Sequence, residues 1–435
     1  MSFTMIGVIG ILFLFFLIFF RMPVGFAMLL TGVAGFSAIV SPSAAFSMMV
    51  NDIVDVFGSY SLTVIPLFIL MGQVAFHAGI STRLFSVAYK WIGHWPGGMA
   101  IASVGACAGF SAICGSTNAT AATMAAVTLP EMKKYKYSES LATGVVAAGG
   151  SLGILIPPSV VFIIYGIITE QSIGELFMAG IIPGVILTLL FVAVISLWSI
   201  LRPGDAPRGP KFDFKTKIRS LSGVIETLIL FVMVMGGLFA GLFTPTEAAG
   251  VGSFGTILLS VIKRDIDFKG LADAFTETTR ISCMILMIVA GATVFGHFLA
   301  ITRIPFSIAS WVGGLELSGW AVMAVIILIY MIGGCFIDAL ALIMLTVPIF
   351  YPVVTSLGYD PVWFGVVIVL VTQIGVITPP VGVNVYVVRS VARDVHLGTI
   401  FRGVLPLLGA IIAATCLLII FPDLALFLPG IAGGK

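Results

Sequence analysis

Charge is scarce in this chain. Lys, Arg, Asp and Glu make up 9% of its 435 residues, against roughly 25% in an average soluble domain, and that shortage excludes a soluble enzyme. The charges that exist sit in short gaps between apolar runs of about 20 residues, the pattern of a polytopic α-helical membrane protein. Metal-ligand and redox patterns are missing too. Cys107, Cys114, Cys283, Cys335 and Cys416 all lie in apolar segments with no CxxC pair, so neither a disulfide framework nor a thiolate metal site is indicated. His77, His94, His297 and His396 fall near span ends and show no HExxH spacing. The Lys and Arg residues are scattered over loops and form no stripe, which gives no footprint for nucleic acid.

The apolar runs carry the information. Hydropathy predicts spans near 3–20, 24–40, 62–80, 138–168, 176–200, 223–243, 247–262, 281–300, 361–388 and 403–422. The first run has no basic residue before it and no small-residue cleavage site, so it reads as a retained span closed by Arg21. Two stretches, about 97–130 and 318–352, are apolar but interrupted at the centre by Gly, Ser, Thr, Asn or Asp. Each reads as helix, break, helix: two thin spans or one re-entrant hairpin. The polar connection 202–219 carries Arg202, Arg208, Lys211, Lys215, Lys217 and Arg219, and the positive-inside rule makes it cytoplasmic. Threading with both stretches as re-entrant hairpins places 19 of the 21 Lys and Arg on that side, leaving only Arg303 and Lys435 outside. Both ends of the chain are then extracytoplasmic.

The two hairpins enter from opposite faces because the sequence is duplicated. Pro23 and Pro245 are 222 residues apart, and His77, Arg83, Trp91 and Gly93 recur as His297, Arg303, Trp311 and Gly313 at 220. Thr128-Leu-Pro130 recurs as Thr346-Val-Pro348, Pro157-Pro158 as Pro379-Pro380, and Gly180-Ile-Ile-Pro183 as Gly403-Val-Leu-Pro406. Five spans per copy is an odd number, so the copies sit inverted. The expected fold is an all-α polytopic membrane protein of two inverted repeats, each five spans plus one re-entrant helical hairpin. Its boundaries are 1–201, a cytoplasmic linker at 202–222, and 223–435. Inverted repeats with broken helices are typical of secondary transporters, whose site lies where the breaks meet near the midplane.

Four breaks carry the chemistry. The first hairpin turns through Ser111-Ala-Ile-Cys-Gly-Ser116-Thr117-Asn118-Ala-Thr120, and the span after it breaks at Gly149-Gly-Ser-Leu-Gly153-Ile-Leu-Ile156-Pro157-Pro158-Ser159. In the second copy the breaks are Gly333-Gly334-Cys-Phe-Ile-Asp338 and Thr372-Gln-Ile-Gly375-Val-Ile-Thr378-Pro-Pro-Val381-Gly-Val-Asn384. Irregular backbone in hydrocarbon costs several kcal/mol per unpaired group, so it must line a cavity or bind something. Small residues also permit close helix packing, which is the alternative for the first hairpin. Proline pairs free carbonyls in mid-span. Freed carbonyls and hydroxyls suit a small hard cation, and half-helix N-termini suit an anion. Asp338 is an intramembrane carboxylate, functional by default, and equally well placed as an N-cap; the two roles are compatible. Glu247, in Thr-Pro-Thr-Glu, reads as a helix-start residue.

These motifs resemble the large membrane subunit of TRAP (tripartite ATP-independent periplasmic) transporters, of the DctM-like family. The likeness rests on Ser-Ala-Ile-Cys-Gly-Ser-Thr at the first hairpin, Gly-Ile-Leu-Ile-Pro-Pro-Ser, Gly-Cys-Phe-Ile-Asp and Gly-Val-Ile-Thr-Pro-Pro-Val-Gly-Val-Asn, and it runs over essentially the whole chain. It implies an elevator-type, sodium-driven importer of a small organic anion in a bacterial inner membrane. Dicarboxylates, sugar acids such as sialic acid and short sulfonates such as isethionate all remain open. It also implies two partners, a small membrane subunit and a periplasmic substrate-binding protein, and no cofactor beyond sodium. Carried over by position, Ser111, Gly153, Ile156 and Pro158 hold one sodium ion, and Gly334, Gly375, Thr378 and Val381 a second. Ser116, Thr117, Asn118 and Asn384 are the substrate candidates. Asn118 departs from the small or apolar residue the family pattern places there. A stand-alone sodium/anion symporter of related hairpin design is the alternative, and no converging His, Cys and acid cluster supports a membrane enzyme.

The charge distribution makes the topology testable. In a background cleared of native cysteines, a cysteine beside Lys215 should resist an impermeant thiol reagent applied from the periplasm, and one beside Glu170 should react. Labelling of the Lys215 position from outside would overturn the threading.

Overall fold

In the computed structural model, which describes residues 2–314 and 318–432, every regular element is a helix or a 3-10 turn. Lys435, expected outside the membrane, lies outside the described residues. Among the described residues five helices are each long and apolar enough to cross a bilayer: Ile173–Leu201, Pro245–Ile262, Phe268–Thr302, Ala339–Ser356 and Leu397–Ile420. Pro42–Gly58 and Ser61–His77, bent by 57° at their junction, make a sixth if taken together. The early runs become shorter apolar helices, Phe3–Phe19, Val24–Ile39 and Ile225–Phe239.

Both stretches read as helix, break, helix have that form: Gly98–Cys114 with Thr117–Lys134, and Gly319–Gly334 with Ala339–Ser356. The spans expected at 138–168 and 361–388 are broken at their proline pairs. The first consists of Glu139–Gly150, a 3-10 turn at Ser151–Ile154 and Val160–Thr169; the second of Pro361–Ile377 and Val383–Val391. Both Pro-Pro peptide bonds are cis.

The structure departs from the hydropathy reading in three places. Pro42–Gly58 was not expected; Ser41 caps it by accepting from the Ala44 N–H at 3.2 Å, and it buries the stripe Ala45, Asp52 and Val56. Its polar residues lower the local hydropathy while one face is covered by the rest of the chain. The span expected at 281–300 begins instead at Phe268, capped by Asp267, and runs unbroken for 35 residues. At 1.5 Å per residue it is roughly 50 Å long, more than the ~30 Å hydrocarbon core, and Lys269, Asp273, Glu277 and Arg280 occupy the excess. Beyond the last span, Asp423–Ala432 forms a further short helix.

Glycine sets the closest crossings. A Cβ on Gly291 of Phe268–Thr302 would sit 2.1 Å from the Gly25 carbonyl oxygen, and one on Gly32 would sit 2.9 Å from the Phe295 nitrogen, so Val24–Ile39 touches the long helix backbone to backbone. Glu139–Gly150 meets Leu397–Ile420 in the same way, with a Cβ on Gly403 falling 1.8 Å from the Ser140 carbonyl oxygen. Such small-residue contacts are how helices associate where lipid removes the hydrophobic drive. At the centre lie the hairpins and broken helices: every residue of Pro361–Ile377 after the proline is buried. Phe3–Phe19, at the periphery, buries only Gly7, Gly10 and Leu14.

Polar bridges tie together loops assigned to one membrane face. Arg83 pairs with Asp265 at 2.5 Å, Lys133 with Asp394 at 2.5 Å, and Trp91 Nε1 donates to the Lys217 carbonyl at 3.2 Å. The Lys133 hydrogen bond holds the Asp394 carboxyl below the usual carboxylate range. On the other face Gln171 Nε2 donates to the Tyr351 hydroxyl at 3.1 Å, and His297 Nδ1 lies 2.9 Å from Asp52.

The Gly403 crossing yields a controlled test. Gly403→Val should destabilise the protein by about 2 kcal/mol or more through overpacking. Gly409→Val, on the same helix with nothing within 4 Å of its Cβ, should stay within about 0.5 kcal/mol of wild type. Thermal unfolding in detergent compares them.

Candidate functional site

The first hairpin ends its ascending arm at Gly115, whose φ is +64°. A side chain there would be strained, and its Cβ would also meet the Pro158 carbonyl oxygen at 2.6 Å. Ser116 then caps the descending arm, its Oγ accepting from the Ala119 N–H at 3.5 Å. The broken helix presses against this turn. A Cβ on Gly153 would lie 2.4 Å from the Ser116 carbonyl oxygen, and the Val160 N–H donates to the Gly115 carbonyl at 3.4 Å. Ser159 closes the break, donating to the Ile154 carbonyl at 2.6 Å and accepting from the Phe162 N–H at 3.3 Å.

Beside that contact stand unpartnered groups. The Ser111 and Thr120 hydroxyls are buried, 0% exposed, and have no hydrogen-bond partner among the described residues. Neither Ile156 nor Pro158 offers its carbonyl to a hydrogen bond from the described residues. An orphaned buried hydroxyl costs about 1–3 kcal/mol unless something fills it. Ser111, Gly153, Ile156 and Pro158 therefore fit a small cation in donor chemistry: hard oxygens at a place where only glycine allows the two backbones to close.

The second hairpin repeats the arrangement with different residues. A Cβ on Gly375 would sit 2.2 Å from the Gly334 carbonyl carbon, so these two glycines let the hairpin and the second broken helix touch. Thr378 ends Pro361–Ile377 with its Oγ1 donating to the Ile374 carbonyl at 2.5 Å, which leaves the oxygen lone pairs available. The Val381 carbonyl accepts no hydrogen bond from the described residues. Asp338 caps Ala339–Ser356, accepting from the Leu340 N–H at 3.1 Å.

Both tips open on one cavity of about 90 Å³. Ser116, Thr117 and Asn118 line it from the first hairpin and Asp338 from the second, and the Asn118 side chain is within hydrogen-bonding reach of the Asp338 carboxylate. Asp338 therefore caps its helix and also lines the cavity. Asn384 does not line this cavity: it is fully buried, its Nδ2 donates to the Ala147 carbonyl at 3.1 Å, and its Oδ1 has no hydrogen-bond partner among the described residues. Sequence reasoning missed three polar groups. Thr120 and Gln373 lie inside named breaks but were not singled out: Thr120 belongs to the orphaned set, and Gln373 is 0% exposed with both amide atoms unpartnered among the described residues. Gln73 lines the cavity from Val64–His77, and the signal that marks it is an isolated amide in an otherwise apolar helix. Among the described residues no cluster of three His, Cys, Asp or Glu side chains is placed to hold a metal.

Residues 11–424 match the family model of the tripartite ATP-independent periplasmic transporter, DctM component. The chain is 36% identical over 375 residues to a C4-dicarboxylate TRAP transporter large permease protein of Pseudomonas aeruginosa, covering 86% of this chain and 87% of that one. It is 34% identical over 414 residues to the sialic acid TRAP transporter large permease protein of Vibrio cholerae, covering 95% and 96%. In fold it is similar to the crystal structure of the Alcanivorax borkumensis YdaH transporter, with a TM-score of 0.62 over 87% of this chain and 88% of that one at 15% identity. The chain belongs to the DctM family of TRAP transporter large permeases: it is a multi-pass membrane transport protein and not an enzyme.

Proposed function

We propose that the protein imports a small organic anion across a bacterial inner membrane, coupled to sodium, receiving it from a periplasmic binding protein and working beside a small membrane subunit. The observation that carries this reading is that two hairpin tips and the first broken helix line one small cavity, with orphaned hydroxyls and unpaired carbonyls at the hairpin contacts of both broken helices. If the hairpins enter from opposite faces, tips that meet mean that each stops partway, which favours re-entrant hairpins over pairs of full spans. The relatives are named for a C4-dicarboxylate and for sialic acid, both acids, and binding-protein delivery is how their family works.

Sodium serves as glue and as driving force. One ion between Ser111, Gly153, Ile156 and Pro158, and another between Gly334, Gly375, Thr378 and Val381, would satisfy the free oxygens and join each hairpin to its broken helix. Two bound cations, with the N-terminal ends of Thr117–Lys134, Val160–Thr169 and Ala339–Ser356 nearby, would favour an anion next to Ser116, Thr117 and Asn118 despite the Asp338 charge. Sodium thereby raises affinity for the acid, which is the coupling symport requires.

The inverted-repeat reading, with units 1–201 and 223–435 about a linker at 202–222, is supported by the paired elements. Val24–Ile39 corresponds to Pro245–Ile262, and the bent pair Pro42–Gly58 and Ser61–His77 corresponds to the continuous Phe268–Thr302. These helices form a frame. The hairpins and broken helices form a block that slides as one body, because parting them would expose unpaired polar groups to lipid at several kcal/mol each.

Thr378→Val should raise the sodium concentration for half-maximal uptake about fivefold, the worth of roughly 1 kcal/mol of lost oxygen contact, with folding intact. Ser111→Ala should act similarly. Unchanged sodium dependence in both sinks the sodium sites.

The sliding block is tested by cross-links. A Cβ on Gly72 of the frame would lie 3.5 Å from Cys114 Sγ of the first hairpin, so Gly72→Cys with Cys114 as the sole native cysteine should form a disulfide that stops uptake until reduced. Cysteines replacing Lys133 and Asp394, bridged by a short dithiol-specific reagent within the block, should leave most uptake intact. Arrest by the second cross-link in protein that still binds sodium would replace the sliding block with local hairpin gating.

A further inference from the structure

We propose that Gln73 is a specificity-determining residue for transport, its side-chain amide being the polar contact that the frame makes to the bound acid. The inference rests on the functional reading above. The walls of the cavity differ in kind: the hairpin tips contribute hydroxyls, an amide and a carboxylate. The facing wall, from Val64–His77 and Phe268–Thr302, is four isoleucines, one methionine and Gln73, the only polar side chain among its described lining residues. Gly72 puts Gln73 in reach. A Cβ on Gly72 would be 3.0 Å from Cys114 Cα, so the helix touches the first hairpin immediately before its turn. The Gln73 amide is partly buried and engages no hydrogen-bond partner among the described residues.

An amide in that position has a defined chemistry. Its Nε2–H groups donate to a carboxylate, and its Oε1 accepts from a hydroxyl or ammonium on the same molecule. A carboxylate moved against an isoleucine wall sheds water on that side; one donor there recovers the loss and fixes orientation, as sparse polar groups do in apolar pockets. The groups on the hairpins travel with the cargo, whereas Gln73 stays with the frame. Its contact therefore exists in one end state and sets affinity on one side of the membrane without touching either sodium site.

The test is initial-rate uptake into proteoliposomes holding the complete transporter, with radiolabelled succinate, N-acetylneuraminate and isethionate as probes at varied sodium. For whichever probe the wild type carries, Gln73→Leu should raise KM about tenfold, the worth of one hydrogen bond to a charged group, with the half-saturating sodium concentration unchanged. Gln73→Glu keeps the shape and size, yet it turns a like charge toward the acid and should depress uptake further. Wild-type KM in both variants overturns the proposal. So does a shift in sodium requirement that accompanies the KM change, since Gln73 would then act through a sodium site. A wild type with no sodium-dependent uptake of any probe removes the functional reading itself, a result that needs no variant and is distinct from failure of Gln73 alone.

Discussion

Hydrocarbon offers a polypeptide no hydrogen-bond partner, and the structure is organised around that constraint. A helix interrupted at mid-depth leaves N–H and C=O groups bare, so each interruption here is pressed against another. Gly115 and Gly153 let the first hairpin and the first broken helix meet, and Gly334 and Gly375 do the same in the second half. A single methyl group on Gly115, Gly153 or Gly375 would collide with facing backbone. The four breaks are thus met in two pairs, each hairpin tip against its own broken helix.

The surrounding helices solve the complementary problem of holding together in lipid without a hydrophobic drive. Gly25, Gly32 and Gly291 join a helix of the first half to the long helix of the second, and Gly144 with Gly403 join the halves again deeper in the molecule. Van der Waals contact at such short range substitutes for the water-driven burial that stabilises soluble bundles. Ion pairs add definition only at the edges. Lys133–Asp394 is largely exposed and is worth little as a stabiliser, but it records which loops share a face.

Polarity inside the cavity follows from its two sources. The hairpins supply capping residues, because a helix that starts at mid-depth needs Ser116 or Asp338 to satisfy its first N–H groups. The frame supplies apolar side chains, because most of its helix surface elsewhere faces lipid or neighbouring helices. A cap at such a break is therefore also a cavity wall, as Asp338 is.

Local pattern by itself determined much of this protein. Apolar runs located most of the helices; the Gly, Ser and Pro clusters located all four breaks; Thr-Pro-Thr-Glu marked a helix start, which the structure makes a capping box of Thr244 and Glu247. These features depend on residues within a few positions of one another, so they can be read along the chain. Tertiary structure decided the rest. Pro42–Gly58 carries Asn51, Asp52 and Asp55, which hide it from hydropathy, and it is stabilised by a buried face set against distant residues, with Asp52 reaching His297. The long helix extends back to Phe268 through charged turns whose helicity no apolar count registers. Asn384 sits in a motif that suggested the site, and its Nδ2 also spans to Ala147 of the first broken helix. Gln73 faces the cavity only because Gly72 fits against Cys114. Each of these outcomes joins segments that lie tens to hundreds of residues apart, and which surfaces meet at that separation is set by packing of the whole molecule.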